Sequence, residues 1–234
     1  MLMTVAVIAV IGLALVLGAA WGIYGRLSEG LEGFLIALAG GALLLSLVGE
    51  LIDPALEKNG LLVVSAGVAT GAIVFSALDY WIDEKWGEKS GGGLLAAITL
   101  DGVPENLALG VALIGAKPLE VAALAGSIFL SNLPEAAGGA KAMAKDGNAN
   151  GKVMLLWSGT AVLLSLAALG GRYLLAGVDE SVIAFISCFA AGAVVASLAT
   201  EVFPKAYGEN KHWEGVATAL GVILAFGLGE LGGG

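Results

Sequence analysis

Cysteine and histidine are almost missing from this chain of 234 residues, which has one of each, Cys188 and His212. A single cysteine excludes an internal disulfide and any metal site built on several thiolates. A single histidine excludes a zinc site built on a histidine cluster. Charge is scarce too. Only 13% of residues are Asp, Glu, Lys or Arg, against roughly 25% in soluble domains. What charge there is leans one way, to a net −9, which argues against nucleic acid as a partner.

What fills the chain is apolar. Hydrophobic residues make up 58% of it, and the mean hydropathy is +0.93. This is the composition of an all-α integral membrane protein. The 37 glycines fit, because small residues let membrane helices approach closely. Eight apolar segments run at about 2–24, 31–52, 61–82, 94–116, 119–143, 153–176, 182–204 and 213–231. Each is near the ~20 residues needed to cross a bilayer. No basic residue precedes the first, so it is expected to be a retained helix and not a signal peptide. The connections are short, and the longest, Asp83 to Gly93 and Lys145 to Lys152, are rich in glycine and charge. The expectation is a single transmembrane domain over 1–234, with helices 1–3 in 2–82, helices 4–5 in 94–143 and helices 6–8 in 153–231.

Lysine and arginine set the expected orientation. Four alternate loops hold Arg26, Lys85, Lys89, Lys141, Lys145, Lys152, Lys205 and Lys211, and the other three hold Lys58, Lys117 and Arg172. That bias places the first set in the cytoplasm and, with eight spans, both termini outside.

An internal repeat is visible. Gly41 to Leu51 in helix 2 resembles Gly192 to Val202 in helix 7, each with Ser-x-x-x-Glu (Ser46 and Glu50, Ser197 and Glu201) and a trailing Pro and Asn (Pro54 and Asn59, Pro204 and Asn210). Gly67 to Thr70 in helix 3 matches Gly215 to Thr218 in helix 8. Helices 1–3 therefore read as a copy of helices 6–8. An odd number of helices separates equivalent members, so the copies run in opposite directions. Inverted repeats of this kind are a hallmark of secondary transporters, with the substrate near the midplane.

Between the copies lie two related stretches, Leu100-Asp101-Gly102-Val103-Pro104-Glu105-Asn106 and Leu130-Ser131-Asn132-Leu133-Pro134-Glu135. A charge at the centre of a membrane helix costs about 2.5–3.5 kcal/mol on insertion scales, so its default reading is functional. Asp101 and Glu105 share a helix face, as do Ser131, Asn132 and Glu135. Pro104 and Pro134 lack the N–H that would bond the carbonyls of Leu100 and Leu130. Carboxylates, an amide, hydroxyls and freed carbonyls together suit a divalent cation with oxygen ligands. Structural, protonated acids holding helices together are the competing reading. Glu50 and Glu201 read equally as ligands or as acids near the helix ends. Ser46, Ser131 and Ser197 read first as packing serines, His212 and Glu230 as solvated, and Asp79, Trp81 and Trp86 as interface anchors.

These residues resemble the ZIP (ZRT/IRT-like) family of metal transporters. That family has eight helices in a three-two-three arrangement, both termini outside, and a helix 4 motif His-Asn-x-Pro-Glu-Gly. Asp101 to Asn106 is similar to that motif, and Ser131 to Ala136 to the helix 5 motif of the bacterial branch. Ala190 to Ala193, Glu201, Pro204, Gly208 to Asn210 and Gly215 to Thr218 extend the likeness into helices 7 and 8. The resemblance implies metal ligands at Asp101, Glu105, Asn132 and Glu135, with Glu201 on the cytoplasmic release route. The departures are specific. Asp101 stands for the family histidine, Gly102 for its asparagine, and Val153 to Ala176 holds no acid or histidine. Losing the imidazole favours harder cations such as Mn²⁺, Fe²⁺ or Mg²⁺ over zinc.

The expected function is ZIP-like transport of divalent metal cations, zinc or another transition metal such as manganese or iron, toward the cytoplasm across the plasma membrane through a carboxylate-lined midplane site on helices 4 and 5, with the metal as substrate, no prosthetic group and no enzymatic activity. The lipid bilayer is the surrounding partner, and small-residue faces permit a homodimer. A metal-sensing or structural membrane protein is the alternative. An intramembrane hydrolase with paired acids is a weaker one, since Asp101 is the only aspartate deep in a helix.

Overall fold

In a computed structural model, the chain is described over residues 2–86, 91–114, 121–209 and 212–232, and the described residues contain helices and no strand. Lys89, Lys117, Asn210 and Lys211 lie outside the described residues. The helices are α1 (Leu2–Tyr24), α2 (Glu29–Leu47), α3 (Asp53–Trp86), α4 (Gly91–Ala112), α5 (Ala122–Lys145), α6 (Asn150–Leu174), α7 (Glu180–Ser197), α8 (Phe203–Glu209) and α9 (Glu214–Gly232). A π-helical turn, Val48–Ile52, joins α2 to α3, and another, Leu198–Val202, joins α7 to α8. Among the described residues, four stretches are long and apolar enough to cross a membrane: Thr4–Tyr24, Glu29–Ile82, Asn150–Leu174 and Glu180–Glu209.

Local chemistry explains several boundaries. Ser28 caps α2 by accepting from the Leu31 N–H, and Asp179 caps α7 by accepting from Ser181. The second stretch bends at Gly60, where φ is 75° and ψ is 171°. That conformation belongs to glycine alone, so α3 is two helical pieces, 53–59 and 61–86.

The bundle is apolar on its outside. Leu62, Leu155, Leu174, Leu61 and Ile73 are among the most exposed side chains. The interior is built of alanine, glycine and a few large residues such as Trp157, Leu43 and Leu124. A surface of this kind needs lipid around it, and the small interior residues let helix backbones touch.

Packing reproduces the internal repeat. α3 packs on α7 as α9 packs on α2; α5 on α1 as α4 on α6; and α5 on α2 as α4 on α7. Exchanging α1 with α6, α2 with α7, α3 with α9 and α4 with α5 leaves these neighbours unchanged. Glycines mark the same contacts. A Cβ on Gly41 would meet the Thr218 carbonyl, and one on Gly192 would meet that of Val68. Gly71 faces the Phe189 carbonyl as Gly221 faces that of Leu38. These contacts correct the register of the third helices. Val68 is equivalent to Thr218, and Gly67, Gly71 and Phe75 are buried as Ala217, Gly221 and Ala225 are. The literal match of Gly67–Thr70 to Gly215–Thr218 is therefore displaced by two residues. In glycine-rich helices the residue that touches a neighbouring backbone sets the register, and letter identity does not.

Candidate functional site

α4 and α5 cross in the interior, next to α7 and α2. This crossing buries the polar residues of both related stretches. Asp101 is 4% exposed, Glu105 2%, Asn132 1% and Glu135 7%, with Ser131 and Ser197 fully buried. Each acid reaches this depth because its helix is otherwise apolar and the bundle closes around it.

On α4, Pro104 lies inside the helix, one position before Glu105. Asp101 and Glu105 are within electrostatic reach of each other and of Glu135. Asn106 turns back on its own helix, where Nδ2 donates to the Gly102 carbonyl at 2.9 Å. On α5, Pro134 takes the position equivalent to Pro104. The Ser131 hydroxyl donates to Glu135 Oε1. Ser131 therefore holds the Glu135 carboxylate in place, a role beyond packing.

Glu201 is carried by the second π-turn. Such turns add a residue to a helix and re-aim its side chains, frequently at functional sites. Glu201 is half-buried, within electrostatic reach of Asp101 and Glu135 and in hydrogen-bonding contact with Asp79 on α3. Two carboxyl groups meet in this way across a proton or a cation. Asp79 was expected at the membrane interface beside Trp81 and Trp86, and instead it joins the acids of the interior. Its place near the end of an apolar run concealed this. The only available signal was its recurrence on the buried side of the repeat's third helix. Ser197 lies beside Asp101.

Several buried atoms of this group have no hydrogen-bond partner among the described residues: Asp101 Oδ1, Glu105 Oε1, Glu201 Oε1 and Asn132 Nδ2. Buried polar groups are ordinarily paired, and each exception asks for a cause such as an ion. Among the described residues, no three of His, Cys, Asp and Glu already converge as a finished metal site. The acids are neighbours whose carboxylates are not drawn to one point.

The other candidates separate from this group. Glu50, on the first π-turn, accepts from the Leu124 N–H at 2.8 Å. It thus caps the N-terminus of α5, where a helix presents unpaired donors and positive potential. Glu50 also borders a recess of about 240 Å³ with mixed lining, shared with Lys58, Asn59, Glu180 and Ser187 and with apolar residues such as Leu51 and Ile183. Ser46 meets Ser127 at 3.1 Å, which is helix packing. His212 is exposed, as is Glu230.

No family model matches the chain, and no curated protein is significantly similar to it.

Proposed function

We propose that the chain is a membrane carrier for divalent metal cations, with the buried acids of α4 and α5 and the half-buried Glu201 of the second π-turn as the transport site. One observation carries the reading most. Asp79, Asp101, Glu105, Glu135 and Glu201 are gathered inside an apolar helical bundle, with oxygens of Asp101, Glu105 and Glu201 unpartnered. Mutual repulsion and desolvation oppose such a cluster, and a bound cation relieves both. The donor set is oxygen only, which favours Mn²⁺, Fe²⁺ or Mg²⁺ over zinc.

Continuous helical paths run over 2–24, 29–59, 61–86, 91–112, 122–145, 150–174, 180–209 and 214–232. We read them as eight spans in a 3+2+3 arrangement, a ZIP-like layout whose two outer triplets are inverted copies. The exchange of packing partners supports that reading. Glu50 lies at the N-terminal side of α5, and inversion would place it and Glu201, its equivalent in the repeat, toward opposite membrane faces. The lysine-rich loops then face the cytoplasm, and Glu201 stands on the release side.

Helices divide by their packing into α1, α4, α5 and α6 on one side and α2, α3, α7, α8 and α9 on the other. The site lies on the boundary, since α4 and α5 carry most of its acids and α3 and α7 border it. Relative movement of these groups would expose the site to each face in turn.

Uptake of Zn²⁺, Mn²⁺, Fe²⁺ and Cd²⁺ into proteoliposomes at two pH values is the test. Saturable uptake, preferring Mn²⁺ or Fe²⁺, is the expected result. Absence of flux with retained metal binding would favour a metal sensor, and absence of both would end the metal reading.

A further inference from the structure

At the lysine-rich end of the bundle a second charged group lies outside the proposed transport site. Glu32, in the first turn of α2, has a side chain only 5% exposed. The ammonium of Lys205 on α8 is 3.2 Å from its Oε1. Lys141, near the end of α5, is 3.8 Å from its Oε2. Lys141 Nζ also donates to the Leu27 backbone carbonyl at 3.0 Å. Gly138 on α5 leaves the space these groups occupy, for a side chain there would collide with both Glu32 and Lys205. The α5 surface is thus notched to receive the pair.

The cluster is connected to the site. Lys205 follows Glu201 by one helical turn and lies within electrostatic reach of Glu135. Glu209 follows by another turn, within reach of Glu32, Lys141, Lys205 and Glu29. Glu201, Lys205 and Glu209 therefore form a stripe from the site to the lysine-rich end, with a cation at its middle. The contacts of Lys141 join α5, in one packed group, to α2 in the other.

We propose that Glu32, Lys141 and Lys205 form a latch that closes the lysine-rich end of the cation route by tying α5 to α2 and α8. The proposal rests on the carrier reading of the chain. Buried ion pairs contribute little net stability, and their best-attested use is to fix one arrangement among several. Here the arrangement fixed is the closed one. Lys205 blocks the stripe with a like charge for any arriving cation, and Glu32 keeps it there. Opening draws the Gly138 notch and Lys141 away from the Glu32–Lys205 pair, which lets the Lys205 ammonium swing clear and leaves Glu209, Glu29 and Glu32 as oxygen donors along the way out.

The test measures distance in the full-length protein without metal. Spin labels are placed at Lys145→Cys on α5 and Tyr207→Cys on α8, both exposed positions, in a Cys188→Ala background. The parent is expected to show one short-distance population. Glu32→Gln and Lys141→Met each add a longer population, and Lys141→Arg, which can restore both contacts, returns to the short one. Distributions unchanged in Glu32→Gln and Lys141→Met would overturn the latch. So would a lowered unfolding temperature in both variants with no longer population, since that outcome makes the cluster structural only. Because no metal is present, the carrier reading can fail in the uptake assay while the latch stands. Equally, the latch can fail while uptake is found.

Discussion

On the proposed carrier reading, Asp101 sets the chemistry of the site. At the head of a Pro-Glu motif it supplies a hard carboxylate where an imidazole would supply a borderline nitrogen. Asp101→His is therefore expected to raise Zn²⁺ binding relative to Mn²⁺, measured by competition calorimetry on the purified protein. Glu105 and Glu135 offer a more direct check. Neutralising either would remove a carboxylate charge from the proposed site. Glu105→Gln and Glu135→Gln are each expected to weaken metal binding on the order of tenfold or more. Each should also abolish proteoliposome uptake, with unfolding temperature held as the control for folding. Uptake unchanged in both variants would count against the transport site. Ser131 should act differently, because it orients Glu135 without replacing it. Ser131→Ala is expected to reduce uptake only partly.

At the scale of single elements, backbone features carry the argument. Gly60 is held at φ 75° and ψ 171°. Gly60→Ala forces a side chain into a glycine-only conformation, at a cost on the order of 1–3 kcal/mol. A lowered thermal midpoint in detergent would show it, and an unchanged one would mean that the bend relaxes. Gly192→Val is expected to separate α7 from α3, since its Cβ would strike the Val68 carbonyl. The overpacking penalty is about 1–3 kcal/mol, read by the same melt. Glu50→Ala removes the acceptor of the Leu124 N–H. That cap loss is worth about 1 kcal/mol, and it should leave metal affinity at the α4–α5 crossing unchanged, since Glu50 stands apart from it. The two π-turns make the same point from another side. Each places its glutamate, Glu50 or Glu201, out of step with the preceding helix, and the two glutamates then meet different partners.

For the whole molecule, the exposed leucines and the apolar stretches place the chain in a membrane. It is expected to stay with the membrane pellet after alkaline carbonate extraction, as a peripheral protein would not. Orientation is a separate test. A cysteine at Lys145 in the Cys188→Ala background should label from the cytoplasm only, if the lysine-rich end lies there. Labelling from outside would reverse the proposed topology and the direction of release with it.

The sequence by itself determined the helical class, the apolar exterior and the buried motif of α4 and α5. These follow from composition, from the cost of charge in an apolar run and from prolines at fixed spacing. It also showed the repeat of α2 and α7, because Ser, Glu and Pro recur there at the same intervals. Four matters were decided only by tertiary structure. They are the register of α3 against α9, the arrival of Asp79 beside Glu201, the capping role of Glu50, and the meeting of Glu32, Lys141 and Lys205 from three distant segments. The reason is common to all four. Hydropathy and spacing tell which residues leave water, but the partner each one finds depends on which backbones come into contact. In this bundle glycines at the helix crossings decide that.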